Sequence, residues 1–79
     1  MKDNKDIAII EFPEKERWKY LHICNLHKVE YNLTRYPTYW GFEINEENLS
    51  KLLYFVKQYE YMNIDIDILQ KAGVNKFGW

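Results

Sequence analysis

Residues 29–44 of this chain read VEYNLTRYPTYWGFEI, and their alternation of apolar and polar side chains decides the fold. Alternate residues of a strand face the same side of a sheet, so the pattern predicts two strands joined at Tyr36-Pro37-Thr38. One register would bury a single face of both strands, which carries Val29, Tyr31, Leu33, Trp40, Phe42 and Ile44. The stretch therefore predicts a β-hairpin, and Trp40 is expected to anchor the core.

A strand and two helices are predicted on either side of this hairpin. Residues 7–12 form an apolar run typical of an interior strand. Pro13, followed by acidic residues, predicts a helix that extends to about His27. Its apolar stripe carries Trp18, Leu21 and Cys24, with Tyr20, Ile23 and Leu26 beside them.

After the hairpin, Asn45 is a good N-cap for a second helix. The apolar stripe of that helix carries Leu49, Leu52, Leu53, Val56 and Tyr59.

Residues 63–73 fit two interpretations. Their alternation is compatible with a short strand, whereas the helix formers at 69–72 and the glycine at 73 favour a last helix that ends at Gly73. We favour the helix. The chain is then one α+β domain over residues 1–79, with helices on one face of a three-stranded sheet that includes antiparallel strands. Residues 1–6 and 74–79 are expected to be flexible tails.

Composition and charge restrict the possible functions. Hydrophobic residues make up 47% of the chain and aromatic residues 18%, which indicates a folded core. The net charge is −1, so no overall field attracts the chain to nucleic acid or to an anionic membrane. Cys24 is the only cysteine, and the first residues lack the apolar core of a signal peptide. We therefore expect a cytoplasmic protein that does not associate with membranes.

Catalytic and metal-binding patterns are not evident. In a helix, Cys24 and His27 share a face but His22 points away from both, so these residues do not converge as zinc ligands do. Asp65 and Asp67 fit the first turn of a helix better than a magnesium site. The chain contains no phosphate-binding loop, dinucleotide-binding turn or nucleophile elbow. We expect no catalysis, no metal and no cofactor.

Exposed aromatic and basic residues are the candidates for binding. Arg35, Tyr36 and Tyr39 lie at or near the hairpin turn, and Phe77 and Trp79 lie close to the C-terminus. Tryptophan, tyrosine and arginine dominate the binding energy of protein interfaces. They are also common as packing residues in a small aromatic-rich fold. We predict a surface for a protein partner, with nucleic-acid binding expected to be weak.

The order of elements resembles a known family. Tyr31-Asn32-Leu33-Thr34-Arg35 leads to Trp40-Gly41-Phe42 and then to Asn48-Leu49 and Leu52-Leu53, which is similar to the HARP-like modules that precede the motor of annealing-type helicases. The resemblance covers residues 7–60. It implies a contact with branched DNA near Arg35 and Lys28. This chain has no motor and no excess of basic residues.

The leading functional hypothesis is a non-catalytic module that binds another protein. The frequent Lys, Asn, Ile and Tyr residues suggest an AT-rich gene of the kind found in phages and mobile elements. The expected role is therefore inhibition or modulation of a host protein such as a defence nuclease, as anti-CRISPR inhibitors do. A nucleic-acid-binding accessory module is the alternative, and a small metal-dependent enzyme is the third hypothesis.

Overall fold

A computed structural model describes residues 6–79. Its elements are β1 (Ile7–Ile10), α1 (Glu14–Leu26), β2 (Asn32–Arg35), β3 (Trp40–Asn45), α2 (Glu46–Val56) and α3 (Asp67–Phe77), and a 3-10 turn, Glu60–Met62, lies between α2 and α3. The predicted α+β fold class is confirmed. Of the expected N-terminal tail, residues 1–5 lie outside the described residues.

The sheet is antiparallel throughout, with β3 between β1 and β2. Phe42 of β3 lies opposite Ile10 on one side and Leu33 on the other, so the three side chains share a face. That face supplies the sheet's part of the core, namely Ala8, Ile10, Phe42 and Ile44, each at most 2% exposed. The helices pack against this side. The other face, which carries Ile9 and Glu43, is left largely uncovered.

The turn end of the hairpin is more exposed than the sequence predicts. Leu33, Trp40 and Phe42 share a face, as expected, but Leu33 is 38% exposed and Trp40 is 39% exposed. The prediction that Trp40 anchors the core is therefore wrong. Trp40 is the first residue of β3, beside the turn, and it lies at the exposed end of the row in which Phe42 and Ile44 are buried.

Helix α1 buries only part of its broad predicted stripe. Tyr20, Ile23 and Cys24 are buried, whereas Trp18 is 58% exposed. Tyr20 stacks on Phe12 with a centroid distance of 3.9 Å, and its hydroxyl donates to the carbonyl of Asp65 at 2.7 Å. Because the buried hydroxyl has this partner, Tyr20 can lie in the core, and of the two aromatic residues in the predicted stripe it is Trp18 that stays exposed.

Helix α2 agrees closely with its prediction. The side chain of Asn45 accepts a hydrogen bond from the backbone N–H of Asn48 at 2.8 Å, which caps the helix. Leu49, Leu52 and Val56 are fully buried. The helix therefore lies under the sheet along the predicted stripe.

The last segment is helical, as favoured, but it continues beyond the predicted end. Gly73 is inside α3, and the left-handed residue after the helix is Gly78, with a φ of 74°. Residues 74–77, which were expected to belong to a flexible tail, form the last turn of α3 instead. The ring of Trp79 then packs on Gly73. In residues 6–79, no helix combines the length and hydropathy needed to cross a membrane.

Candidate binding surface

Two arginines and a tryptophan from three different elements meet at the turn end of the sheet. Arg35 of β2 lies directly opposite Trp40 of β3, and its guanidinium carbon is 5.1 Å from the centroid of the indole ring. Arg17 of α1 approaches the same ring, with a distance of 5.7 Å. Both distances are within the range of a favourable cation–π interaction. Two positive charges therefore lie close to the indole at the surface.

These residues form part of an open cleft of about 420 Å³, here called the Trp40 cleft. Its lining consists of Glu11, Phe12, Glu14, Arg17, Arg35, Thr38, Tyr39 and Trp40. The volume is in the range of small-ligand and side-chain binding sites. Its walls combine aromatic rings with charges of both signs, which suits a partner that presents apolar and charged groups together.

The two arginines differ in their surroundings. Arg17 is 3.9 Å from a carboxylate oxygen of Glu14, one helical turn earlier, and Glu14 is highly exposed. The attraction between the two side chains of such an exposed ion pair is weak. Among the described residues, no carboxylate oxygen lies within 4.0 Å of the Arg35 guanidinium. Arg35 is therefore the more available donor of the two.

Tyr36 and Tyr39 border the turn and contact each other. Their rings stack at a centroid distance of 4.9 Å, and the backbone N–H of Tyr36 donates to the carbonyl of Tyr39 at 2.7 Å. Tyr39 lines the Trp40 cleft. The ring of Tyr36 lies over Gly41 on the uncovered face, where its hydroxyl donates to Glu43 at 2.5 Å. That hydrogen bond raises the pKa of Tyr36 to about 12.

The other candidate residues lie elsewhere in the fold. Lys28 follows α1, with a positive φ of 57°, and does not line the Trp40 cleft. Phe77 packs partly against the core. The indole N–H of Trp79 donates to Glu46 at 2.8 Å. The structure therefore brings Arg35 and Tyr39 together and leaves Lys28, Phe77 and Trp79 apart from them.

Two members of the cleft, Arg17 and Trp40, were not identified from the sequence as binding residues. Trp40 was assigned to the core because of its place in the strand alternation. Trp40 lies opposite Arg35 in the observed register, a pairing that the sequence analysis did not use. Arg17 offered no such signal, because its contact with Trp40 depends on how α1 packs against the sheet.

The nucleophilic and metal-binding side chains do not form a second site. Burial raises the pKa of the Cys24 thiol to about 12, so this side chain is a poor nucleophile. His27 stacks on Phe55 and its Nε2 lies 2.7 Å from the hydroxyl of Tyr59. A carboxylate oxygen of Asp65 accepts a hydrogen bond from the backbone N–H of Asp67 at the start of α3. In residues 6–79, no three histidine, cysteine or acidic side chains are grouped as metal ligands would be.

Comparisons with known proteins do not extend this description. The resemblance to HARP-like modules stays a prediction, because no protein-family model, curated protein or solved structure matches this chain.

Proposed function

We propose that this chain is a non-catalytic module that binds another protein through the Trp40 cleft. The observation that carries the proposal is the exposure of Trp40 between Arg17 and Arg35. A half-exposed tryptophan flanked by arginines has the composition of an interface hot spot. The cation–π contacts also restrict these side chains before a partner arrives, which lowers the entropy lost on binding.

The partner that we propose is a host protein, such as a defence nuclease, that the module inhibits or modulates in the cytoplasm. This part of the proposal rests on the frequent Lys, Asn, Ile and Tyr residues, which suggest an AT-rich gene of the kind found in phages and mobile elements. The small net charge supports a protein partner over a nucleic acid. No step of catalysis is included, since the cysteine is buried and the histidines do not face it in a shared site.

The experiment compares partner capture by two tryptophan variants. Trp40→Ala should weaken binding of a captured partner by about 30-fold or more, as the loss of a hot-spot residue does. Trp18→Ala is the matched control, because Trp18 is also exposed but lies outside the cleft. Circular dichroism establishes that both variants remain folded. Equal binding by wild type and Trp40→Ala would contradict the assignment of this surface.

A nucleic-acid-binding accessory module remains the second candidate, because the same residues could stack a base and hold a phosphate. Glu11 and Glu14 in the cleft count against it, since their charges repel a phosphate backbone. A gel-shift titration with duplex, single-stranded and forked DNA at two salt concentrations separates the candidates. Tight binding that falls steeply with salt, and that Lys28→Ala weakens for all sequences alike, would favour the nucleic-acid candidate.

A further inference from the structure

The Trp40 cleft contains a guanidinium group that lies over an aromatic ring while its N–H groups have no carboxylate partner among the described residues. One side of Arg35 contacts the indole of Trp40, and no carboxylate of residues 6–79 lies within 4.0 Å of it. A guanidinium group that rests on an aromatic ring can still direct two N–H groups towards a carboxylate. The arrangement is ready to receive an oxyanion.

The other charges in the cleft indicate which oxyanion fits. Glu11 and Glu14 balance the charges of Arg17 and Arg35, and Glu14 is already paired with Arg17. A polyphosphate chain would bring several negative charges past both acids. A single carboxylate can approach Arg35 alone, because this arginine has no carboxylate oxygen within 4.0 Å among the described residues.

The cleft also has room for more than a carboxylate. Its volume is about 420 Å³, and Phe12 and Trp40 supply aromatic walls. These walls would bury apolar groups beside the ion pair, which strengthens it by excluding water.

We infer that the Trp40 cleft receives an acidic side chain of the protein partner, with Arg35 as the bidentate donor and an apolar neighbour of the acid against Trp40. This inference rests on the proposed function and specifies the chemistry of the partner. Arg35 has the principal role, while Arg17 supports the indole and supplies a second positive charge.

The test uses short peptides rather than the partner itself. A blocked Leu-Glu-Leu peptide and its Leu-Gln-Leu counterpart are titrated into the isotopically labelled protein, and NMR follows the indole N–H signals of Trp40 and Trp18. The glutamate peptide should shift the Trp40 signal and bind about tenfold more tightly than the glutamine peptide, because a hydrogen bond to a charged group is the stronger one. Trp18 lies outside the cleft, so its signal should not move.

Two variants identify the donor. Arg35→Lys keeps the charge but removes the planar fork, and it should abolish most of the preference for the glutamate peptide. Lys28→Ala removes a positive charge outside the cleft and should leave the preference unchanged. Both variants concern exposed side chains, so each protein should remain folded.

Equal binding of the two peptides, absence of a saturable shift at Trp40, or full preference in Arg35→Lys would overturn the inference. Tighter binding of single-stranded oligothymidine, with a steep salt dependence, would replace it with a phosphate site. These results do not depend on capture of a partner. A partner whose binding requires Trp40 but not Arg35 would therefore sustain the proposed function while the carboxylate inference failed.

Discussion

The ring of Tyr36 lies over Gly41, in the space that a side chain at position 41 would occupy. Gly41 is buried in the central strand β3, and the Tyr36 hydroxyl donates to Glu43, two residues further along the same face. Glycine in a strand commonly marks a close approach of another group. Here it allows an aromatic side chain from the turn to lie across the uncovered face of the sheet.

We expect Gly41→Ala to displace the Tyr36 ring and to lower the free energy of unfolding by about 1–2 kcal/mol, as overpacking does. In a Tyr36→Ala background the same substitution should be neutral or stabilising, because glycine weakens a strand by about 0.5–1 kcal/mol relative to alanine. Urea denaturation of the four proteins gives the coupling energy. An equal loss in both backgrounds would show that the ring does not occupy this space.

Two aromatic residues on the same side of β3 should differ in their contribution to stability. Phe42 is 1% exposed, so Phe42→Ala should lower the free energy of unfolding by about 3–5 kcal/mol. Trp40 is 39% exposed, and Trp40→Ala should cost only about 1–2 kcal/mol from partial burial and cation–π contacts. Chemical denaturation of both variants checks this. If Trp40→Ala is as costly as Phe42→Ala, the turn end of the sheet is covered in solution.

The sequence predicts an element well when local signals and burial agree. In α2, the Asn45 cap and the buried residues Leu49, Leu52 and Val56 lead to the same helix. In α1, apolar residues occur on more than one side, so the pattern does not show whether Tyr20 or Trp18 is buried. Packing on Phe12 and a partner for the hydroxyl decide this, and both are tertiary contacts.

The candidate surface was only partly predictable for a related reason. Strand alternation assigns Trp40 to a face, but it does not show how far the helices extend over that face. Arg35 and Tyr39 were accessible to sequence reasoning because arginine and tyrosine at a turn indicate exposure. The approach of Arg17 depends on the position of α1 relative to β3, which no local pattern encodes.

The buried Tyr20 should make stability decrease at alkaline pH. Burial raises the pKa of Tyr20 from 10.0 to about 12, and the negative charge of Asp65 acts in the same direction. Between these values the unfolded chain has lost the proton and the folded chain retains it, so stability falls as pH rises. The contribution is fully present below pH 10 and is lost as pH rises through about 12. The full pKa shift corresponds to about 3 kcal/mol in the free energy of unfolding.

Urea denaturation from about pH 8 to about pH 12 measures this effect through the linkage of protonation to folding. Tyr20→Phe should show a shallower loss of stability over this range than wild type. Tyr61→Phe is the control, because Tyr61 is 79% exposed. The Cys24 thiol, with its pKa raised by burial, contributes a loss of the same sign in all three proteins and cancels in the comparison. Parallel curves for wild type and Tyr20→Phe would contradict the prediction.

Because Trp79 contacts Gly73, we expect Gly73→Ala to destabilise the protein, although glycine-to-alanine substitutions inside helices usually stabilise. In an ordinary helix, replacing an interior glycine by alanine stabilises by about 0.8–1 kcal/mol. Here the ring of Trp79 occupies the space of a Cβ atom at Gly73, and its N–H donates to Glu46 at 2.8 Å. Gly73→Ala should therefore displace the ring, break this hydrogen bond and destabilise the protein.

A Trp79→Ala background supplies the matched control for this prediction. With the ring removed, Gly73→Ala should stabilise the protein by about 0.5–1 kcal/mol, since only helix propensity then acts. Urea denaturation of wild type, the two single variants and the double variant measures the coupling between the two positions. The sign of the Gly73→Ala effect is decisive: if alanine stabilises the wild type as much as it stabilises Trp79→Ala, the indole does not rest on α3 in solution. Trp79 would then be available for a partner, as the sequence suggested.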